Sequence, residues 1–369
     1  MALLLMPTPA PILHVNAETT WRGGENQVFL LARGMHPVRP CIVACRRDSP
    51  LERRLTAAGI PVYQIPGDRG LRSILALRRA FIDLQPALVH AHTSRAHQAC
   101  MLARVGLNIP LVVTRRVDFP LKSGPIARWK YGPGVRQFVA ISAAIATILR
   151  AGGIRDEQLR VIPSGIDFAP LDAVPVGNPW LTLGLPANAE VVLNVAALVD
   201  HKDHATLLRA WIATEAQHPR AHLVIAGEGE LRSTLEKMIT ELGLRRVHLL
   251  GYRTDVIELM KSSQIFVMSS HLEGLCTSIM DAKRCGLPVV ATAAGGIPEV
   301  VRDGVDGILV PIRAPDALAT ALHDLLTDRP RRQLFSVAAR ADSDRFSAEQ
   351  MTAAYLACYR TILAIPAGG

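Results

Sequence analysis

Short apolar runs rich in β-branched residues alternate with amphipathic helical patterns along almost the whole chain. The runs have the length and composition of buried strands: ILHV, CIVAC, VYQI, LVHA, LVVT, QFVAIS, RVIP, VVLNVAAL, HLVIAG, VHLLG, IFVMSS, PVVAT and GILV. Strands that alternate with helices form right-handed βαβ units on a parallel sheet. The alternation stops once, at 167–190, where the chain is dense in proline, glycine and asparagine. The sequence therefore predicts an α/β protein with two doubly wound domains.

The domain boundaries follow from that interruption. We expect an N-terminal Rossmann-like domain at 1–170, a linker at 171–189 and a C-terminal Rossmann-like domain at 190–346. Two domains also suit a chain of 369 residues, which is long for a single hydrophobic core. The last helical pattern, 347–369, has no strand after it, and the pattern alone leaves open which domain it packs on.

Composition narrows the class of protein. A hydrophobic content of 49% is typical of a folded chain. No apolar run reaches the roughly 20 residues that are needed to span a bilayer. We interpret the initial MALLLM as a leader into the first strand, because it lacks the basic region of a signal peptide. The six cysteines show neither CxxC pairs nor Cys/His zinc spacing, which favours a reducing cytoplasm.

The excess of positive over negative charge is confined to the first half of the chain. Residues 1–180 carry 22 Lys and Arg against 11 Asp and Glu, whereas the remainder carries 19 against 21. A basic half favours an anionic partner, such as a phospholipid surface, a phosphorylated glycolipid or nucleic acid. A solubilising arginine-rich surface is the alternative.

The stretch EGLCTSIMDAKRCGLPVVATAAGGIPE, residues 273–299, carries the strongest functional signal. Ligands of open parallel sheets bind beyond the carboxyl ends of the strands, and Glu273 stands on a loop at such an end. The following segment, Gly274 to Thr277, would present backbone N–H groups at a helix N-terminus, which suits a phosphate. Asp281, about one turn inside that helix, would reach a sugar or ribose hydroxyl. The alternative is structural, because Ser278-x-x-Asp281 is also a capping-box pattern.

Three further strand ends add groups that suit a diphosphate. Gly295 and Gly296 follow PVVAT and permit close backbone approach where a helix begins. Gly227 follows HLVIAG in a GxG turn that lacks the third glycine of the dinucleotide fingerprint. Lys202 follows VVLNVAAL, where its ammonium group would neutralise phosphate charge. A solvated surface lysine is the alternative.

These residues resemble the signature of the retaining glycosyltransferases of family 4 (glycosyl transferases group 1), which have the GT-B fold of two Rossmann-like domains facing across a cleft. The family has two acids separated by seven residues, then AxxxGxPVVA and GGxPE. The chain has Glu273, Asp281, AKRCGLPVVA and GGIPE. Other segments that resemble the family are WRGGENQVFLLA, LVHAH, RVIPSGID, VIAGEGELRSTLE and LGYRTDVIELMKSSQIFVMSS. The resemblance thus extends over nearly the whole chain, and it implies that the last helix returns to the N-terminal domain.

The resemblance implies roles for the matching residues. Glu273 would bond the hydroxyls of the donor sugar, Asp281 would hold the nucleotide ribose, and Lys202 would balance the leaving diphosphate. The backbone N–H groups of Leu275 and Cys276 would bind that diphosphate. The candidate donor site also includes Gly227, Arg253, Gly274 and Thr277. In the first domain, Gly24 matches a turn that approaches the donor phosphates or the acceptor.

Two positions of the donor site depart from the family pattern. The second acid is Asp281, whereas the usual glutamate is one methylene longer. Ala197 stands where an arginine is common, five residues before Lys202. One positive charge on the leaving group is therefore missing unless Arg253 or His201 supplies it.

The N-terminal domain carries a second set of candidates. His92, after the LVHA strand, is the candidate for contact with the sugar or the acceptor, and a satisfied core or loop histidine is the alternative. His90 precedes it on the strand and is expected to point into the core. Arg115 and Arg116 stand where many relatives have a histidine near the sugar. They would meet a phosphorylated acceptor or decorate the surface.

The chemistry implied by the family is transfer with retention of the anomeric configuration, in which a donor phosphate oxygen takes the proton of the acceptor. No protein nucleophile, metal or other cofactor is expected. Asp342-Ser343-Asp344 has the spelling of a metal-binding Asp-x-Asp pair. It lies away from every predicted strand end, and we interpret it as capping and turn chemistry.

We therefore predict a cytoplasmic, retaining, metal-independent hexosyl-type glycosyltransferase that uses a nucleotide-diphosphate sugar. Its acceptor would be a glycolipid or a cell-envelope polysaccharide precursor of the lipopolysaccharide type, held by the basic N-terminal domain at the inner face of an anionic membrane. No nucleic acid is expected. The alternatives are a nucleotide-sugar epimerase or hydrolase of GT-B architecture, and a basic nucleic-acid-binding or membrane-binding protein without catalysis. The nucleotide base, the sugar and the acceptor stay open.

Overall fold

The computed structural model describes residues 9–66, 70–121 and 124–364, apart from the side chain of Ile126. The predicted leader MALLLM lies outside the described residues. The chain forms two compact units, of which the first comprises 1–165 with 348–369 and the second comprises 166–347.

The first unit is built on a seven-stranded parallel sheet with the strand order β3-β2-β1-β4-β5-β6-β7. Its strands are β1 (Ile12–Val15), β2 (Cys41–Arg46), β3 (Val62–Ile65), β4 (Leu88–Ala91), β5 (Leu111–Arg115), β6 (Gln137–Ala140) and β7 (Leu159–Val161). The helices between them are α1 (Gly23–Met35), α2 (Pro50–Ala57), α3 (Leu71–Leu84), α4 (Ser94–Ala103), α5 (Pro125–Lys130) and α6 (Ala143–Ala151).

The second unit has a six-stranded parallel sheet with the order β10-β9-β8-β11-β12-β13. Its strands are β8 (Glu190–Val195), β9 (Ala221–Ala226), β10 (Val247–Gly251), β11 (Ile265–Met268), β12 (Val289–Thr292) and β13 (Gly307–Val310). Its helices are α7 (Phe168–Ala173), α8 (Pro179–Thr182), α9 (His204–Gln217), α10 (Arg232–Glu241), α11 (Val256–Lys261), α12 (Thr277–Arg284), α13 (Ile297–Val300), α14 (Pro315–Thr327) and α15 (Arg329–Asp342). The last helix of the chain, α16 (Ala348–Ala364), belongs to the first unit.

The two doubly wound sheets confirm the predicted fold class. Each of the thirteen predicted apolar runs contributes a strand, and β1, β4, β6, β9, β11 and β12 are buried along their whole length. Such burial is expected when helices cover both faces of a parallel sheet, and it explains why the runs read as continuous apolar stretches.

Each sheet reverses its strand order once, between β1 and β4 in the first unit and between β8 and β11 in the second. The loops that leave the carboxyl ends of such neighbouring strands diverge to opposite faces of the sheet, and a crevice opens between them. A ligand site is therefore expected among the polar residues that follow these four strands.

The final helix completes the core of the first unit. Met351, Tyr355 and Tyr359 of α16 lie in one buried cluster with residues of β1, β2 and α1. Gly34 of α1 allows this contact, because a Cβ atom there would lie 2.7 Å from Oγ1 of Thr352. The first unit is thus formed by residues from both ends of the chain.

The segment 171–189 was predicted as a linker, but it belongs to the second unit. Trp180 is only 5% exposed and donates a 2.7 Å hydrogen bond from Nε1 to the carbonyl of Ser262. Two short helices, α7 and α8, form within the segment. The proline-rich composition hid this anchor, because a single buried tryptophan leaves no periodic pattern. The chain instead passes between units at 165–166 and 347–348.

A buried cluster of ion pairs connects α12 to Asp306 and Asp342. Lys283 is fully buried and donates to the carboxylates of Asp306 (3.1 Å) and Asp342 (2.5 Å) and to the carbonyl of Val300 (2.6 Å). Burial opposes ionisation of Asp342, but the hydrogen bonds and positive charges of Lys283 and Arg345 together outweigh it, and the pKa of Asp342 is lowered. Such a cluster fixes geometry, since removal of one partner would leave a charge buried without compensation.

No helix among the described residues is both long and apolar enough to cross a membrane.

Candidate functional site

Lys202 and Glu273 form an ion pair across the crevice of the second sheet. Lys202 lies in the short 3-10 turn Asp200–Lys202 after β8, and its Nζ donates to Oε2 of Glu273 in the loop after β11. The two side chains are 15% and 14% exposed. A largely desolvated pair of this kind keeps two opposite charges at an opening where either can also bind a ligand.

Hydrogen bonds to backbone carbonyl groups hold both loops in place. The hydroxyl of Ser269 donates to the carbonyl of Lys202 (2.9 Å), and the amide of His271 donates to the carbonyl of His201 (3.0 Å). The amide of Gly296 donates to the carbonyl of Glu273 (3.0 Å). The positions of both charged side chains are therefore determined by the ends of β8, β11 and β12.

The role expected for Gly295 and Gly296 needs correction. We predicted that they would open a second helix N-terminus for a diphosphate. The helix that follows, α13, has only four residues, and the amide of Gly296 is used by the Glu273 loop. This glycine pair supports the loop that carries Glu273, because the ends of β11 and β12 are adjacent.

The N-terminus of α12 faces the same crevice with free backbone donors. Cys276 is the N-cap residue and has a left-handed backbone with φ of 65°, which is unusual for a residue other than glycine. Within the described part of the chain, no residue accepts a hydrogen bond from the amides of Leu275 or Cys276. Gly274 is buried beside them, and Thr277 begins the helix. A helix N-terminus with such donors favours an anion.

Asp281 is a partly exposed residue with a desolvated carboxyl group. Burial raises its pKa to about 7. The capping-box alternative for Ser278-x-x-Asp281 is wrong, because α12 is capped at Cys276 without a side-chain hydrogen bond. Within the described residues, no hydrogen bond to the Asp281 carboxyl group is found. Its polar atoms therefore suit a hydroxyl donor from outside the protein.

Gly227 and Gly229 serve the loop that carries Lys202. A Cβ atom at Gly227 would lie 1.9 Å from the carbonyl oxygen of Ala196, and one at Gly229 would lie 2.3 Å from that of Leu198. Contacts this short exclude any side chain. The GxG turn therefore allows the loops that follow β8 and β9 to pack closely. This close packing explains why Gly227 is a glycine.

Arg253 is engaged within the protein. Its Nε and Nη2 donate to the two carboxylate oxygens of Asp255 at 2.8 and 2.5 Å. It can therefore replace the arginine that is missing at Ala197 only if that bidentate pair opens. Lys202 is the better-placed cation at the crevice of the second sheet.

In the first unit, His92 also lies at the break in strand order. It is 3% exposed, and its Nε2 lies 2.9 Å from Nδ1 of His14 on β1. Burial lowers the pKa of His92 well below its ordinary value, and the neighbouring His90, His14 and Arg116 lower it further. A neutral imidazole results, whose Nδ1 is buried without a hydrogen-bond partner.

His14 was not among the predicted site residues, although the sequence contains a signal for it. ILHV and LVHA both carry histidine at the third position, and β1 pairs with β4 so that His14 is opposite His90. As predicted, His90 points into the core, where its ring nitrogens bond the hydroxyls of Tyr359 (2.5 Å) and Thr114 (2.7 Å). Only knowledge of the strand order would have brought the two runs together.

His14, His90 and His92 have ring nitrogens within 4.8 Å of one another, close enough to share a metal ion. Their nitrogens are largely used by the hydrogen bonds just described. The Asp342-Ser343-Asp344 motif is likewise engaged: Asp342 pairs with Lys283, and Asp344 lies 2.7 Å from Arg284. This motif closes the ion-pair cluster beneath α12.

A pocket of about 450 Å³ opens at the carboxyl ends of β1, β4 and β5. Gly24, His92 and Arg116 are among its lining residues. A Cβ atom at Gly24 would make only an ordinary contact, 3.9 Å from Cδ of Arg116. Glycine is therefore not required there by packing, and its effect is to leave the pocket open.

Two doubly wound units, each with polar side chains where the strand order reverses, define a protein of the GT-B class. The family of group 1 glycosyl transferases matches residues 182–342, and glycosyltransferase family 4 matches residues 21–169. The chain belongs to these glycosyltransferases.

The similarities extend to characterised and solved proteins. A D-inositol 3-phosphate glycosyltransferase of Xylanimonas cellulosilytica is 29% identical over 299 residues, which are 74% of this chain and 71% of that protein. The lipopolysaccharide core biosynthesis glycosyltransferase LpsE of Rhizobium meliloti is 34% identical over 176 residues, 47% of this chain and 51% of LpsE. The structure of Anabaena Alr3699/HepE in complex with UDP has a TM-score of 0.83 at 24% identity, covering 95% of this chain and 100% of that chain.

The environment of Asp281 predicts an unusual dependence of stability on pH. Its pKa is about 7 in the folded state and 3.8 without burial, so the folded state binds more protons between these values and loses stability as pH rises. Asp281→Asn removes this loss. We expect the stability gain of the variant over the wild type to grow by about 1–3 kcal/mol from pH 4.5 to pH 8.

Urea denaturation at the two pH values, followed by the transition of the second unit, measures this difference. Asp316→Asn, which removes an exposed acid of α14, is the matched control. Its free energy of unfolding should differ from that of the wild type by the same amount at both pH values. An equal effect of Asp281→Asn at both pH values would show that the carboxyl group is not desolvated.

Proposed function

We propose that this glycosyltransferase transfers a hexose from a nucleotide-diphosphate sugar with retention of configuration and without a metal ion. The observation that carries the proposal is the Lys202–Glu273 pair beside the free amides at the N-terminus of α12. These groups combine a cation and helix dipoles for a diphosphate with a carboxylate for sugar hydroxyls.

Each group has a distinct role in the proposed reaction. As the bond between the anomeric carbon and the donor phosphate breaks, negative charge grows on the diphosphate. The amides of Leu275 and Cys276 and the ammonium of Lys202 would stabilise that charge, because they are already oriented before reaction. Glu273 would accept hydrogen bonds from sugar hydroxyls and so orient the anomeric carbon. Asp281 would accept a hydrogen bond from a ribose hydroxyl.

The comparisons support a uridine nucleotide and a cell-envelope acceptor. HepE has been solved with UDP and with UDP-glucose, which supports the uridine nucleotide. LpsE is named as a glycosyltransferase of lipopolysaccharide core biosynthesis, which supports the cell-envelope acceptor. We propose UDP-hexose as the donor and a glycolipid or lipopolysaccharide-type precursor as the acceptor, reached from the cytoplasmic side of the membrane. Nothing in the described residues specifically favours an epimerase or a nucleic-acid-binding protein.

Substitutions that each remove one charge test the ion pair. We expect Lys202→Met and Glu273→Gln each to lower the transfer rate by about 10²–10³-fold, since each removes a group that acts on the transition state. The donor is first chosen by thermal shift with UDP, GDP, ADP and their sugars. A ligand at 100 times its Kd stabilises the folded state by about 2.7 kcal/mol. Release of nucleotide diphosphate then measures the rate.

Lys237→Met is the matched control, because Lys237 is an exposed lysine of the same unit, 76% accessible in its pair with Glu241. It should leave the rate within about twofold, as expected for an exposed ion pair. Normal transfer by either site variant would refute the assignment. A loss of folding in both, seen as collapse of the melting transition, would assign the pair to the scaffold.

Transfer without a metal is tested by chelation. Because Lys202 and the helix amides would supply the positive charge, we expect EDTA at about 5 mM to leave the transfer rate unchanged. This concentration is a large excess over trace metal. The readout is release of nucleotide diphosphate before and after dialysis against the chelator. An inactivation that zinc or magnesium reverses would contradict the proposal and would direct attention to His14, His90 and His92.

We also propose that the first unit contacts an anionic membrane. Val117, Phe119 and Trp129 are 46%, 53% and 42% exposed, and Arg128 is exposed next to Trp129. The first unit carries 23 basic and 10 acidic side chains. Exposed aromatic and aliphatic groups beside basic side chains favour the interface of an anionic bilayer.

Vesicle binding tests this contact. We expect vesicles with 30% phosphatidylglycerol to bind the protein and shift Trp129 emission to the blue, and Trp129→Ala to weaken binding by roughly tenfold through lost apolar burial. Leu334→Ala is the control, because Leu334 is a 71% exposed side chain of the second unit. Equal binding to purely neutral phosphatidylcholine vesicles, or no binding at all, would contradict the proposal.

A further inference from the structure

Arg116 is a cation of the first unit whose hydrogen-bonding capacity is only partly used. Its Nη1 lies 3.4 Å from Oγ of Ser164, whereas its Nε and Nη2 are buried and donate to no described residue. The hydroxyl of Tyr355 also forms a side-chain hydrogen bond with the guanidinium, so Nε and Nη2 are the nitrogens of Arg116 that have no partner among the described residues. A buried donor without a partner is unfavourable, so such an arrangement is uncommon without a functional reason.

The neighbouring Arg115 shows the contrast. Its Nη2 donates to the carbonyl of Phe119 and its Nη1 to the hydroxyl of Tyr131, so its guanidinium fixes the loop after β5. Both arginines line the pocket at the ends of β1, β4 and β5. Arg115 has one buried nitrogen without a partner, Nε, whereas Arg116 has two adjacent ones, Nε and Nη2, which together form one side of the guanidinium fork.

The acids of this pocket have their own partners. The Glu25 carboxylate accepts from the amide of Arg22 (3.0 Å) and from Nδ2 of Asn16 (3.4 Å), while Glu18 forms a 3.0 Å ion pair with Arg95. Glu25 acts on Arg116 electrostatically but is not hydrogen-bonded to it. The positive charge of Arg116 is therefore only partly compensated inside the protein.

The rest of the pocket is suited to an anion with polar substituents. The N-terminal turn of α1, a helix of thirteen residues, contributes Gly24 to the lining, and helix N-termini favour negative charge. His92 lies there as a neutral imidazole. The volume of about 450 Å³ is within the range of small-molecule sites.

We propose that Arg116 binds a phosphoryl or carboxylate group of the acceptor, so that the acceptor is an anionic molecule recognised by a bidentate guanidinium contact. This inference rests on the proposed function, in which Lys202 and the α12 amides of the second unit already serve the donor diphosphate. The anion at Arg116 is then a separate charge. Planar guanidinium groups bind both oxyanion classes through paired N–H donors.

Inorganic phosphate and acetate are the probes, because the acceptor is not identified. Calorimetric titration of the full chain at constant ionic strength, adjusted with sodium chloride, is carried out with and without saturating UDP. We expect at least one probe to bind the wild type equally well in both conditions. Arg116→Gln should weaken that binding at least tenfold and leave the Kd for UDP within twofold. Arg116→Lys should show an intermediate loss, since it keeps the charge without the fork.

Arg136→Gln is the matched control, because Arg136 is an exposed arginine that precedes β6 at the opposite edge of the same sheet. It should leave binding of the probes within twofold. Melting curves of all variants verify that they fold.

Three results would overturn the proposal: no binding of either probe to the wild type, equal binding by Arg116→Gln, or displacement of the probe by UDP, which would assign Arg116 to the donor diphosphate. Failure of UDP to bind at all would instead refute the proposed function, and the titrations without UDP would still report on Arg116.

Discussion

All strands of each sheet run in the same direction, and this constraint gathers the loops that follow them at one edge. Where the strand order reverses, two of these loops part and leave room between their ends. In the second unit that room holds Lys202 and Glu273, and in the first it holds His92, whose ring contacts the buried His14 of β1. The same topology thus places an ion pair in one unit and a neutral imidazole pair in the other.

The net charge of a unit does not indicate whether that unit has features suited to a diphosphate. The second unit carries 18 basic and 22 acidic side chains, yet it is the one with features suited to a diphosphate. In the proposed site, backbone dipoles at α12 and one lysine would bind the diphosphate, because an oriented donor in a desolvated opening acts more strongly than distant surface charge. The position of α12 at that opening is fixed by Lys283 of the same helix, whose ammonium group pairs with Asp306 and Asp342.

Much of this architecture could be predicted from the sequence because its signals are local. Strand runs, helix periodicity and the Glu273 loop depend on neighbouring residues, and these predictions were accurate. The pairing of His14 with His92, the bond from Gly296 to the Glu273 carbonyl and the buried Trp180 depend on residues far apart in the chain. Whether Arg115 or Arg116 was free to bind a ligand could not be predicted either, since adjacent arginines look alike until their partners are known.

The path of the chain gives the molecule a modular construction. The second unit is an insertion: the chain leaves the first unit after Gly165 and re-enters it at Ala348, and the amide of Ile166 bonds the carbonyl of Phe346 at 2.8 Å, so both splice points adjoin. Helix α16 then seals the core of the first unit with Tyr355 and Tyr359. The second unit of a relative could therefore be exchanged between these two adjoining points without interrupting the first unit.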